Sequence, residues 1–157
     1  MSQNFHLQSD VIIFNAKPIA VPYNYRISYK ISQLMLILSL CCSKGGCSLI
    51  KLHMISTALN SDDSMYQLEE WTGGRLSEAP VISFDPAVNR ALLYAISEKL
   101  ILQQKDGKLK LDQLGKKYVG MIMDDPSLMI REKNYLSKIS TKVTEVLIKE
   151  IMTNWRY

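Results

Sequence analysis

The 157-residue chain is 47% hydrophobic and 22% charged, which excludes global disorder and suits one folded domain with at most a helical appendage. A net charge of +4 is too mild to imply nucleic acid by itself, so the distribution of charge says more than its total. An odd count of three cysteines, with no secretory signal read at the N-terminus, argues against a disulfide scaffold and for free thiols in a reducing cytoplasm.

The charge is unevenly spread. Residues 1–60 carry a balance of +4, residues 61–86 of −5, residues 87–110 of +3 and residues 111–157 of +2. An acidic insertion therefore separates two basic blocks, and chains polarised in this way tend to meet charged partners.

In chain order, residues 1–10 read as loose, and "DVIIFNAKPIAVPY" as a short strand or extended arm broken by Pro18 and Pro22. From Tyr25 to about Cys42 the positions Ile27, Ile31, Leu34, Met35, Leu38 and Cys42 follow helical spacing. Leu36, Ile37 and Leu40 add apolar surface on the opposite side, so this helix should be buried nearly all round. Its apolar run "ISQLMLILSLCC" falls well short of the ~20 residues that span a bilayer, and no membrane partner is expected. "SKGG" ends it with a glycine suited to a left-handed cap. Cys41, Cys42 and Cys47 read as small apolar residues near that helix end.

Ser48 is the expected cap of a second helix, "LIKLHMISTAL". His53 near its inner face reads as a core-edge residue rather than a ligand. The stretch 60–84 holds a short helix around Met65–Trp71, a Gly-Gly turn and a possible strand at Val81–Phe84. "WTGGR" lacks the lysine of a phosphate-cradling loop and reads as a turn.

"DPAVNRALLYAISEKL" is the clearest helix start in the chain. Asp85 suits the N-cap, and Pro86 the first helical position, where a missing N–H leaves nothing unpaired. Val88, Ala91, Leu92, Ala95 and Ile96 form its inward stripe, leaving Ala87, Arg90, Tyr94, Ser97 and Glu98 outside. Next, Leu100–Gln104 and Lys108–Asp112 read as two strands joined by "KDGK", with Asp-Gly in a two-residue turn. Leu109 and Leu111 point to one face, and Lys108 and Lys110 to the other. Asp112 is the expected cap of the helix that follows.

The last segment, from Pro126 to about Met152, forms one helix or two. Tyr135, Leu136, Ile139, Val143, Val146, Leu147 and Ile151 share an apolar stripe. This stripe packs on its own domain or docks on a partner. The docking alternative makes those seven residues the partner-interface candidates.

Helix, helix, capped third helix, hairpin, helix is the order of a winged helix. The expected fold is therefore mainly α, with a winged-helix-like core of three helices plus a β-hairpin wing and a long C-terminal amphipathic segment. It divides into an N-terminal arm (1–24), the winged-helix-like domain (25–123, with the insertion at 60–84) and a C-terminal helical extension (124–157). One arginine among neutral or acidic groups makes the third helix a poor base reader. Lys105, Lys108, Lys110, Lys116 and Lys117, with Arg90, are the candidates for nonspecific contact with the backbone of double-stranded DNA. Alternatively, the hairpin lysines only guard an exposed strand edge.

No Ser/His/Asp set, phosphate loop, metal spacing or paired carboxylate stands out, so neither an enzyme, a cofactor nor a metal is expected. Asp62-Asp63 and Asp124-Asp125 read as solvated loops and caps.

Two runs carry a family resemblance: "YRISYKISQLMLILSLCCSKGGCSLIKLHMISTAL" and "FDPAVNRALLYAISEKLILQQKDGKLKLDQLGKKYV". Over roughly residues 10–120 the chain resembles the middle components of bacterial ABC-three component systems. The shared features are an apolar first helix ending in a glycine turn, an "SL..LH" second helix and a variable insertion. A "DP" helix start and a "G.L.L...G" exit at Gly107, Leu109, Leu111 and Gly115 complete the set. The resemblance implies a cytoplasmic, non-catalytic subunit of a Lamassu-like antiphage defence complex, working beside an SMC-like ATPase of the ABC class and an effector, often a nuclease. A free-standing dimeric winged-helix transcription regulator is the alternative, and a structural adaptor without DNA contact a third reading.

Overall fold

The structure, a computed structural model, describes residues 26–155. The expected N-terminal arm, including the strand-like "DVIIFNAKPIAVPY", lies outside the described residues, as does Tyr25. The described chain is mainly helical. Its helices are α1 (Ile27–Leu40), α2 (Leu49–Ala58), α3 (Asp62–Thr72), α4 (Pro86–Ser97), α5 (Gln113–Asp124), α6 (Ile130–Ile139) and α7 (Glu145–Asn154). One antiparallel pair, β1 (Ile101–Gln103) with β2 (Leu109–Leu111), sits between α4 and α5. Among the described residues no helix is long and apolar enough to cross a membrane.

Helix α1 is the axis of the fold. It packs against α2, α4, α5, α6 and β2, and the seven consecutive residues from Ser32 to Leu38 are all buried. A helix surrounded on every side cannot show a polar face, which explains why its sequence is apolar all round. The polar groups that it does bury are paired. Tyr29 donates to Glu132 Oε1 on α6 at 2.7 Å, Gln33 donates to the Tyr29 hydroxyl, and Ser56 on α2 donates to Gln33 Oε1 at 2.7 Å. These bonds fix the rotation of α1 against both neighbours, because a buried polar group left unpaired would be destabilising.

Local signals place the caps. Ser48 accepts from the Lys51 N–H, Ser61 from the Ser64 N–H, and Asp85 from the Ala87 N–H. Asp85 also faces Lys30 Nζ at 3.4 Å, and Lys30 is only 1% exposed, so the start of α4 is tied to α1 by an ion pair reaching into the core. Lys51, likewise buried, donates to the Cys41 carbonyl at 2.8 Å, where its charge complements the C-terminal end of α1.

The insertion differs from expectation in two respects. Its helix starts at Asp62, earlier than the apolar spacing suggests, because Ser61 caps it there. Val81–Phe84 forms no strand: Pro80 precedes it, no strand edge lies beside it, and Val81 is 87% exposed. Part of its acidity is used internally: Asp62 pairs with Arg131, Glu69 with Lys138 and Glu70 with Arg75.

The terminal segment is two helices. Ser140–Lys142 forms a 3-10 turn between α6 and α7, and Ser140 takes a left-handed φ of 40°. α6 lies on α1 and α7 on α2, and the side chains of both join the same hydrophobic core as α1 through α5. The described part of the expected extension, residues 124–155, thus shares its core with the preceding domain.

Candidate functional site

The hairpin is built differently at its tip than the Asp-Gly pair suggests. Gly107 alone takes a positive φ, and its N–H donates to the Gln104 carbonyl, while the Gln104 N–H donates to the Lys108 carbonyl. This is a three-residue loop, Lys105-Asp106-Gly107, of the kind in which a left-handed glycine closes a bulged turn. The strands pair in the register Ile101 opposite Leu111 and Gln103 opposite Leu109. Ile101 and Leu109 are buried on the helical core, while Lys105 stays in solvent at the tip.

What fixes the hairpin is a clamp from the α1–α2 turn. Cys47 and Leu109 exchange both backbone hydrogen bonds at 2.8 Å, and Gln104 Nε2 donates to the Gly45 carbonyl at 3.0 Å. Gly46, with a φ of 95°, makes this approach possible: a Cβ there would lie 2.9 Å from the Leu109 carbonyl oxygen. On the other flank Gly115 seats α5 directly on the Leu100 carbonyl, which leaves no space for a side chain. The "G.L.L...G" spacing therefore has a physical content: a loop glycine, two inward leucines and a glycine at a backbone contact.

Around the clamp lies a cleft of about 510 Å³, whose lining includes Ser39, Cys42, Lys44, Gly46, Lys110 and Lys116. Lys108 stands beside it, with its Cβ against Gly46. The fold thus gathers three of the expected basic candidates, Lys108, Lys110 and Lys116, and adds Lys44. None of these four lysines forms an ion pair within the described residues. Lys105 and Lys117 are exposed but do not line the cleft, and Arg90 lies apart on α4. Sequence reading missed Lys44 because nothing local signals that the glycine turn will meet a hairpin some sixty residues later.

The exposed face of α4 carries Asn89, Arg90, Leu93, Tyr94, Ser97 and Glu98, with Leu93 70% exposed and the Asn89 Oδ1 already engaged by His53; Ala87, expected outside, is half-buried. Such a face offers little to base edges, since major-groove readout needs several Arg, Asn or Gln side chains. Behind it, His53 is buried, with Nε2 against Asn89 Oδ1 at 3.0 Å and its ring 5.0 Å from that of Phe84.

Among the seven stripe residues at the C-terminus, Tyr135, Leu136, Ile139, Val143 and Ile151 are buried in the protein's own core. Leu147 is half-buried and Val146 is 64% exposed, its place inside being taken by Ile148. The stripe therefore packs on its own domain, and of the seven candidates only Val146 presents an open surface. The Tyr135 hydroxyl donates to the Met65 carbonyl, and burial pushes its ionisation above the usual tyrosine range. Among the described residues no three His, Cys, Asp or Glu side chains gather to hold a metal ion. No family model matches this chain, and neither a curated protein nor a solved structure matches it.

Proposed function

We propose that this chain is a non-catalytic, cytoplasmic accessory subunit of an antiphage complex of the Lamassu-like type, docking on an SMC-like ABC-class ATPase and helping to couple DNA sensing to an effector nuclease. In this reading α1, α2, α4 and the β1–β2 hairpin form a winged-helix-like core, and the hairpin is the wing. The observation that carries it is the lysine-lined cleft at the base of a hairpin clamped to the helical core. Four lysines without carboxylate partners can meet the phosphates of any duplex, whatever its sequence. The apolar Leu93 and Tyr94 on the outer face of α4 favour a protein surface there rather than base edges. The SMC-like partner and the defence role rest on the sequence resemblance. Burial of most of the terminal stripe removes it as a docking face for an ATPase as much as a dimer face for a free-standing regulator, so the sequence resemblance, not the stripe, separates the two readings.

Two measurements test this. Titration of two unrelated duplexes against increasing salt should give equal affinities that fall steeply with ionic strength. Replacing Lys108, Lys110 and Lys116 with Glu should weaken both alike, and unchanged affinity retires the wing as a contact. Purification from the native host should recover an SMC-like ATPase. A stable homodimer that protects a palindrome would establish the regulator instead.

A further inference from the structure

The insertion at residues 60–84 carries five carboxylates. Three are neutralised within the fold, Asp62 by Arg131, Glu69 by Lys138 and Glu70 by Arg75. Asp63 and Glu78 form no ion pair among the described residues, yet both line one open cleft of about 590 Å³ between α3 and the chain that follows it. Three large apolar side chains of this cleft also stand in water: Tyr66 is 62% exposed, Leu76 42% and Val81 87%. Apolar groups gathered in one place, rather than scattered, mark a surface that another molecule covers.

The backbone beside the cleft is open as well. From Val81 to Ser83 the side chains alternate, Ile82 turned into the core and its two neighbours turned out. Among the described residues the N–H groups of Val81, Ile82 and Ser83 donate to no acceptor, and of their carbonyls only that of Ser83 is engaged, by Thr57 Oγ1 at 3.1 Å. A second cavity, of about 250 Å³, shares Gln67, Pro80 and Val81 with the cleft and reaches Met54, Ala58 and Leu68 of the core, so it forms a recess for a side chain next to this open edge.

We infer that this cleft docks an extended segment of a partner protein in which Lys or Arg residues stand among apolar ones. Each part of the surface meets one part of such a segment. Asp63 and Glu78 take its cations, Tyr66, Leu76 and Val81 cover its apolar side chains, and the unpaired peptide groups of residues 81–83 bond its backbone as an added strand. The charge decides the class of partner, because an acidic segment or a nucleic-acid phosphate would bring like charge against both carboxylates. This surface thus has the opposite sign to the lysine-lined cleft at the hairpin and takes a different ligand. The inference does not depend on the accessory-subunit reading.

The test selects random-sequence peptides displayed on phage against the immobilised full chain and measures the enriched sequences as synthetic peptides by fluorescence anisotropy. Enriched peptides should carry Lys or Arg flanked by apolar residues and should bind more weakly as salt rises. Reversing both charges, with Asp63→Lys and Glu78→Lys together, should weaken binding about tenfold or more, and a peptide with its Lys exchanged for Glu should regain affinity for that variant. Val81→Ser should weaken binding as well. All three positions are exposed, so circular dichroism melts of these variants should match the parent. No enrichment, enriched sequences without a basic residue, or affinities unmoved by the substitutions would overturn the proposal. A benzophenone photocrosslinker in place of Tyr66 should capture the added peptide, whereas a crosslink in the chain alone to residues 1–25 or to a second copy would also overturn it.

Discussion

Asp85 serves two structures at once, as the cap of α4 and as the partner of the buried Lys30. Asp85→Ala should therefore destabilise the protein by about 3 kcal/mol or more, since it removes a cap and strands a buried ammonium. Asp85→Asn keeps an acceptor for the Ala87 N–H and should recover about 1 kcal/mol of this, so urea titration of the pair separates cap from charge. Lys99 offers the opposite opportunity. It sits at the end of α4 with a φ of 57°, in a cap where Leu100 N–H donates to the Ala95 carbonyl and Lys99 N–H to that of Ile96. Glycine is the residue that this geometry prefers, and Lys99→Gly should stabilise the fold by roughly 0.5–1 kcal/mol, read as a higher urea midpoint. A lower midpoint would mean that the lysine side chain contributes a contact that outweighs its backbone strain.

At the scale of elements, these helix caps were legible because their chemistry is local: Ser48, Asp85 and Asp112 each sit where a helix begins. What depended on distant partners was not. The stretch Val81–Phe84 has strand-like residues but no neighbour to pair with, and Lys44 joins the cleft only through folding. The terminal stripe shows a third cause. A helical projection carried across Ser140–Lys142 loses phase, because the 3-10 turn resets the rotation of α7 relative to α6. Val146 therefore faces solvent where the projection has it inside, and Ile148 is buried where the projection omits it. The two sites should separate sharply. Ile139→Asp places an unpaired carboxylate in the core and should unfold the protein or destabilise it by several kcal/mol, whereas Val146→Asp should change stability by less than about 0.5 kcal/mol. Circular dichroism melts distinguish them, and equal effects would contradict the packing of α6 described above.

For the whole molecule, the amino-acid pattern conveys a helical chain with one hairpin, while the shared core of α1 through α7 emerges only from the assembled packing. The clamp between Cys47 and Leu109 makes the intervening chain, including α3 and the segment after it, a closed excursion with both ends anchored. Lengthening such a loop adds only a slowly growing entropy, about 0.6 kcal/mol for each doubling. The solvent-facing turn at Gly73-Gly74 is thus a natural splice point. A flexible ten-residue graft there should lower the melting temperature by only a few degrees, by the same entropy and the size scaling of unfolding. A small fluorescent reporter could then ride on the protein, leaving hairpin and lysine-lined cleft untouched.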